Sequence, residues 1–533
     1  MSSLLAGFQP LLKVTARQDI RRIAPWIVLI TALSASSILG YNWIFTTPAQ
    51  RKALSITLGS NPVFSLLFGP AGNLDTADGF NTWRALALGG LFAAVMGGLI
   101  VVRNTRASED SGRDELIASG VVGRHTRLLV AVGLAGLASV VLGLVCLAVT
   151  CAAGGGVTAT LALALTFTAC GLMGAGLGAV AAQLASDART ATTIVVSTIG
   201  AAYLVRGYVD ASGSAGWATW LTPFGWTQRV RPAAESNLWP LLLCLALAVV
   251  LVAVSTALLA RRDFGMGLLP STPGRGRGGI VTSVWGFALR LQRGTVCAWT
   301  AGFVVLGVVF GFLFGSIADL FTGNAELVRL LTAGGASSNL TFEYIRTLLK
   351  ILAILAAAYG LQLVLRVCEE EVAGRGELVL AGAVTRTRYF ATHVVLALVG
   401  PALAMVVGGV GIGAIAAARG TAGIGVGDVV LQAVATVPSV WLLTGFGVAF
   451  VGAAPRFREL AWLGVVSTFA LTILGPMFRL WDWVLAISPL WFTPNVLVPG
   501  VDWVGSVVLI VIAAALVAIG FAGYGKRDIA GAS

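Results

Sequence analysis

Charge is scarce in this chain. Of 533 residues only 11% are Asp, Glu, Lys or Arg, and histidine occurs twice. Soluble domains carry about a quarter of their residues as charged groups, so an ordinary water-soluble fold is excluded. The six cysteines, Cys146, Cys151, Cys170, Cys244, Cys297 and Cys368, form no C-x-x-C pair and have no histidine nearby. They read as small apolar residues, and no metal site is expected. His125 and His393 are isolated, each near a membrane boundary, and read as structural. No G-x-x-x-x-G-K-[ST] phosphate loop occurs and no polar stretch is long enough to fold an ATPase, so the chain is not expected to be an enzyme. No basic stripe with interleaved aromatics points to nucleic acid.

What the chain has is apolar sequence: 57% of residues, with a mean hydropathy of +0.91. A membrane span needs about 20 apolar residues. Such runs lie near Ile23–Phe45, Ala85–Val102, Leu128–Thr150, Val157–Leu184, Ala191–Val205 and Leu238–Ala260. A second set lies near Gly294–Ile317, Thr347–Leu365, Phe390–Ala417, Val429–Val451, Leu460–Phe478 and Trp503–Gly523. The fold class expected is an all-α integral membrane protein with about twelve transmembrane helices. Most of the 35 Lys and Arg, among them Arg21, Arg22, Arg103, Arg113, Arg261, Arg262, Arg366, Arg375, Lys526 and Arg527, fall on one side if the N-terminus is cytoplasmic. By the positive-inside rule both termini are therefore expected in the cytoplasm of a multi-pass plasma-membrane protein. The net charge of +12 then serves topology and attraction to anionic lipid.

One charged segment occurs twice. "EDSGRDELIASGVVGR" ends at Arg124 and "EVAGRGELVLAGAVTR" ends at Arg386, sharing E-x-x-G-R-x-E-L-x-x-x-G-x-V-x-R at a shift of 262. Thr222-Pro223 returns as Ser488-Pro489, and Arg262-Asp263 as Arg527-Asp528. The order of spans and loops repeats with these landmarks, which predicts two six-span halves, residues 1–265 and 282–533, joined by a cytoplasmic linker, 266–281, rich in Pro, Gly and Arg. An even number of spans per half makes the copies parallel. Each half opens on an amphipathic stretch, Leu4, Phe8, Leu11 and Leu12 in the first and Val284, Trp285, Ala288 and Leu291 in the second, expected to lie in the inner membrane interface.

Acidic residues all fall in loops or near span ends, so a proton-coupled mechanism lacks its mid-membrane carboxylate. Energy then has to enter from a partner on the cytoplasmic face. In the repeated segment Glu109 and Arg113, like Glu371 and Arg375, are spaced i,i+4, which predicts an ion pair along a short surface helix. Leu116 and Leu378 supply an apolar knob, Glu115 and Glu377 a directional polar contact, and Gly120 and Gly382 a helix stop, while Gly112, Gly374, Arg124 and Arg386 complete the motif. The outer segments "GWATWLTPFGW" and "RLWDWVLAISPLWFTPNVLVPGVDW" suit interfacial or re-entrant helices, as an aromatic belt or as a release gate.

These motifs, with "ARRDFGMGLLP" and "GKRDIAGA" at the ends of the halves, resemble the fused two-half permeases of ABC exporters of the ABC-2 type, in particular actinobacterial exporters of polyketide antibiotics. The resemblance covers almost the whole chain. It implies a separate ATPase homodimer that holds the ATP and Mg, coupling helices between the second and third spans of each half, and efflux of hydrophobic or amphipathic small molecules. It also implies a pathway lined by the first, second and fifth spans of each half, with Ser34, Asn42, Trp43, Thr193, Ser197, Phe310, Phe314, Ser467 and Thr468 as candidates. Trp491-Phe492 stands where the first half has Gly225-Trp226, a departure from symmetry. The alternatives are a proton-coupled twelve-span carrier of the major facilitator type and a non-transport membrane scaffold.

Overall fold

The computed structural model describes residues 7–59, 62–111, 123–211, 216–263, 265–269, 283–323, 340–372, 374–382, 384–418, 424–474, 481–496 and 500–527. Among the described residues the regular elements are all helical. The chain forms two compact units, Met1–Gly274 and Arg275–Ser533, each with its own core.

In the first unit the helices are α1 (Phe8–Ile44), α2 (Pro48–Gly59), α3 (Pro62–Phe68), α4 (Ala77–Asn104), α5 (Arg106–Asp110), α6 (Arg124–Ala152), α7 (Val157–Leu184), α8 (Ala188–Ala211), α9 (Pro223–Gln228) and α10 (Trp239–Arg261). The second unit holds α11 (Val284–Gly323), α12 (Leu340–Val372), α13 (Arg375–Leu380), α14 (Arg386–Ala418), α15 (Val426–Ala453), α16 (Ala461–Phe469), α17 (Asp482–Leu485) and α18 (Val504–Lys526).

Local chemistry sets the ends of these helices. Thr76 caps α4 by accepting from the Gly79 N–H at 3.0 Å, with Asp78 in the first turn and Arg103 in the last, each matched to the helix dipole. The Asp428 carboxylate accepts from the Gly425 N–H at 2.8 Å at the start of α15. Within the first unit α7 is central, packed against α4, α6, α8 and α10, while α1 lies against α4 and α6. Glycine makes the α4–α7 contact close: a Cβ at Gly97 would sit 2.1 Å from the Gly171 carbonyl oxygen, and one at Gly174 1.9 Å from that of Ala94. Small residues of this kind drive helix association where lipid supplies no hydrophobic force. In the second unit α15 is central, packed against α12, α14 and α18, while α11 lies against α14. Leu242 and Val249 on α10 and Val508 and Val511 on α18 face outward, as lipid-facing side chains do.

Eleven helices among the described residues are long and apolar enough to cross a membrane. The difference from twelve falls at Leu460–Phe478. There a 3-10 turn, Pro455–Leu460, leads into the short α16, whose ladder widens to a π-turn at Ala470–Leu474. The interfacial segments also differ from expectation. Phe8, Leu11 and Leu12 belong to a single 37-residue helix that runs through Pro25 into the first span, and Val284 opens a 40-residue helix. No break sets either segment apart from its span, and Leu4 lies outside the described residues.

Candidate functional site

The charged segments gather at the end of each unit where α4 and α12 finish. In the first unit Thr105 leaves helical geometry after α4, and α5 then places Arg106 in the interior, 1% exposed. Its guanidinium reaches the Glu109 carboxylate at 2.9 Å and Asp110 at 3.5 Å. It also donates to the carbonyl oxygens of Ser186, Gly265 and Met266. Glu109 is shared: its other oxygen accepts from Arg262, which donates in turn to the Met266 carbonyl at 3.1 Å. Asp110 accepts from the Ala188 N–H that begins α8, at 2.6 Å. Beside this cluster Arg103 pairs with Asp19 of α1 at 2.7 Å. The segment after α4, the turn between α7 and α8 and the chain leaving α10 are thus held by one buried network. A charge buried at this depth is tolerated only when paired and hydrogen-bonded.

The second unit repeats the central pair. Glu371, at the end of α12, accepts two hydrogen bonds from Arg527, at 2.8 Å each. Arg527 lies 4.8 Å from the Tyr524 ring centroid, and Tyr524 stacks on Phe390 at 4.3 Å. Glu371 and Arg527 stand where the first unit has Glu109 and Arg262. Glu370 takes Arg375 at 2.7 Å and Arg366 at 3.0 Å, and the hydrogen bond to Glu370 holds the Arg375 guanidinium pKa above its ordinary value. Arg386 donates to the Arg527 carbonyl at 3.0 Å.

These partners correct the pairing expected from i,i+4 spacing. Gly374 takes φ +68°, which ends the helical path after Val372 and separates Glu371 from Arg375; Arg375 binds Glu370 instead. A side chain bearing Cβ rarely adopts that conformation, so the motif's glycine is a turn residue. In the first unit Glu109 is engaged by Arg106 and Arg262, and Gly112, Arg113, Glu115, Leu116 and Gly120 lie outside the described residues. Arg124 begins α6. The short helix expected of the motif is α13 in the second unit: Glu377 lies in its first turn, Leu378 is 80% exposed, and Gly382 follows its end.

The pathway candidates scatter. Ser34 is buried within its unit, 3.1 Å from Asn81 and 3.0 Å from Thr150, so its hydroxyl is spent on packing. Thr468 is buried as well. Asn42, Trp43, Thr193, Ser197 and Ser467 are exposed on the surfaces of their units, and Phe310 is half-buried against the second core. The Phe314 side chain lies outside the described set. Residues that the motif reading passed over are Arg106, Arg262 and Arg527. The signal for two of them was the recurring Arg-Asp after the last span of each half.

The family model described as the C-terminal domain of the multidrug efflux system permease Rv1217c matches residues 51–259 and 281–525. The chain belongs to that family. It is also similar to the multidrug efflux system permease protein Rv1217c of Mycobacterium tuberculosis (strain ATCC 25618 / H37Rv), 34% identical over 530 residues, covering 98% of this chain and 95% of that protein. The likeness read from the repeated motif to fused permeases of the actinobacterial exporter group therefore stands. In this permease the charged clusters sit at the ends of apolar helices, in a multi-pass membrane protein.

Proposed function

We propose that this permease is the membrane subunit of an ATP-driven ABC-2 type exporter that moves hydrophobic or amphipathic compounds, antibiotics among them, out of the cell. ATP and Mg are held by a separate ATPase homodimer. The full-length likeness to a protein named as a multidrug efflux permease supports the transport half of this reading. The coupling half rests on α13, whose Leu378 projects at 80% exposure from a helix tied by Arg375 and Glu370 to the end of α12. An exposed leucine beside charges on a fixed short helix suits insertion into a groove of a soluble partner. The first copy of the motif would dock likewise through Glu115 and Leu116. In this reading the termini and both motifs are cytoplasmic, and the two halves are parallel, duplicated six-span bundles, with residues 266–281 as their linker.

The test is biochemical. The purified chain is expected to hydrolyse no ATP, and affinity purification from its native membrane is expected to recover a soluble ATPase at about two copies per chain. ATP hydrolysis by the chain alone, or recovery without any ATPase, would contradict the proposal.

A further inference from the structure

At the end of the first unit where α4 begins and α8 ends lies a cavity of about 410 Å³. That volume is within the range of about 300–1,000 Å³ occupied by small-molecule sites. Trp83 and Leu86 of α4, both buried, give it an apolar lining, while Asp210, Gln228, Arg229 and Arg231 supply the polar groups. Its walls are tied across the chain. Gln228 donates to the Phe68 carbonyl at 3.2 Å, Trp83 to that of Gly69 at 2.9 Å, and Asn73 to that of Ala233 at 3.2 Å. Asn73 and Arg231, which both line it, have φ of +37° and +45°. Left-handed backbone in non-glycine residues persists where surrounding contacts over-determine it, and it clusters at ligand sites.

The charges around the cavity do not cancel. Asp210 is neutralised by Arg206 at 3.2 Å, with both side chains buried, and Arg231 pairs with the exposed Glu235 at 3.3 Å. Arg229 is different. It donates to the Gly216 carbonyl at 2.5 Å and to the Thr219 hydroxyl at 2.8 Å, and lies 5.6 Å from the Trp220 ring centroid. All of these are neutral groups, and among the described residues no carboxylate forms an ion pair with it. The nearby Asp210 carboxylate also acts on Arg229 electrostatically but is itself paired with Arg206, so this half-buried guanidinium, held by neutral acceptors, retains positive charge for an anion, and its planar fork suits carboxylate or phosphate.

The geometry points to a binding site for amphipathic anions: an apolar body against Trp83 and Leu86, and a carboxylate, sulfonate or phosphate on Arg229. A free organic acid and the headgroup of an anionic lipid share this chemistry. The inference stands on the first unit alone and does not depend on how transport is powered.

The test uses the full chain in phosphatidylcholine nanodiscs with radiolabelled 2-naphthoate, compared with 2-naphthamide, which has the same ring system without the charge. The acid is expected to bind at least about tenfold more tightly. Arg229→Gln is expected to abolish that preference and Arg229→Lys to keep part of it. Maleimide labelling of Ala234→Cys, a lining position, is expected to be slowed by the acid and not by the amide. If nanodiscs of phosphatidylglycerol suppress naphthoate binding and phosphatidylcholine does not, the occupant is a lipid headgroup; equal binding in both assigns the site to a free acid. Equal binding of acid and amide by the unaltered chain would overturn the inference, as would an unchanged preference in a folded Arg229→Gln protein. Should Arg229→Gln fail to fold, the comparison of the two probes and the labelling experiment decide the matter without it.

Discussion

Replacing Glu371 with Arg is expected to cost the folded permease about 3–5 kcal/mol, and adding Arg527→Glu is expected to restore most of the loss. The Glu371 side chain is 4% exposed and that of Arg527 13%, with two hydrogen bonds of 2.8 Å joining them. A lone replacement leaves one buried charge without its partner and sets two guanidinium groups against each other. Reversal of both residues rebuilds the pair. Recovery should be incomplete, because Arg527 also lies over Tyr524 and a glutamate cannot. The measurement is an unfolding titration of the purified proteins in detergent, analysed as a double-mutant cycle. Additive losses would show that the two side chains do not act as a unit. Because Glu371 and Arg527 bind α12 to the chain leaving α18, the single variants should also loosen the base on which α13 rests.

A different result is expected from the second glutamate of each motif. Glu115→Arg combined with Glu377→Arg should leave the amount of protein in the membrane unchanged, because in the proposed orientation both motifs are cytoplasmic and added positive charge there reinforces topology. Glu377 lies in the first turn of the exposed α13, so its replacement breaks no buried pair of the fold. If the two segments dock into an ATPase, each replacement sets the wrong charge against a formed contact, a loss of about 2–5 kcal/mol apiece. Association and efflux should then fall together, with each single variant intermediate. Leu116→Ala with Leu378→Ala should act in the same direction through lost burial, more mildly. Co-purification yield and export by the same cells provide the readout. Normal export from a well-expressed double variant would leave the segments a role in topology only.

Much of the fold was legible because a bilayer demands long uninterrupted apolar runs, and composition shows those directly. Where a helix bends or ends is a finer matter. The π-turn at Ala470–Leu474 leaves no mark in hydropathy, and Pro25 sits inside a helix that continues past it. The repeated motif contains Glu109 and Glu371, which form buried ion pairs, but helical spacing gave Glu371 the wrong partner, since Gly374 turns the backbone between it and Arg375. Its glycine was the available warning. Arg262 and Arg527 lie 153 and 156 residues from the glutamates they bind, a separation over which sequence spacing carries no geometry. The cavity beside Trp83 is assembled from α4, α8, α9 and the loops beside them, so no single stretch of sequence announces it.

The central claim is that ATP hydrolysed on a partner powers this permease. Its most direct test is efflux of a fluorescent hydrophobic drug from cells expressing the chain with the proposed partner ATPase, measured after the proton gradient is collapsed while ATP is maintained. Export should continue at close to its original rate and stop when the ATPase cannot hydrolyse ATP. Loss of export on collapse of the gradient, with ATP intact, would contradict the account and favour a proton-coupled carrier.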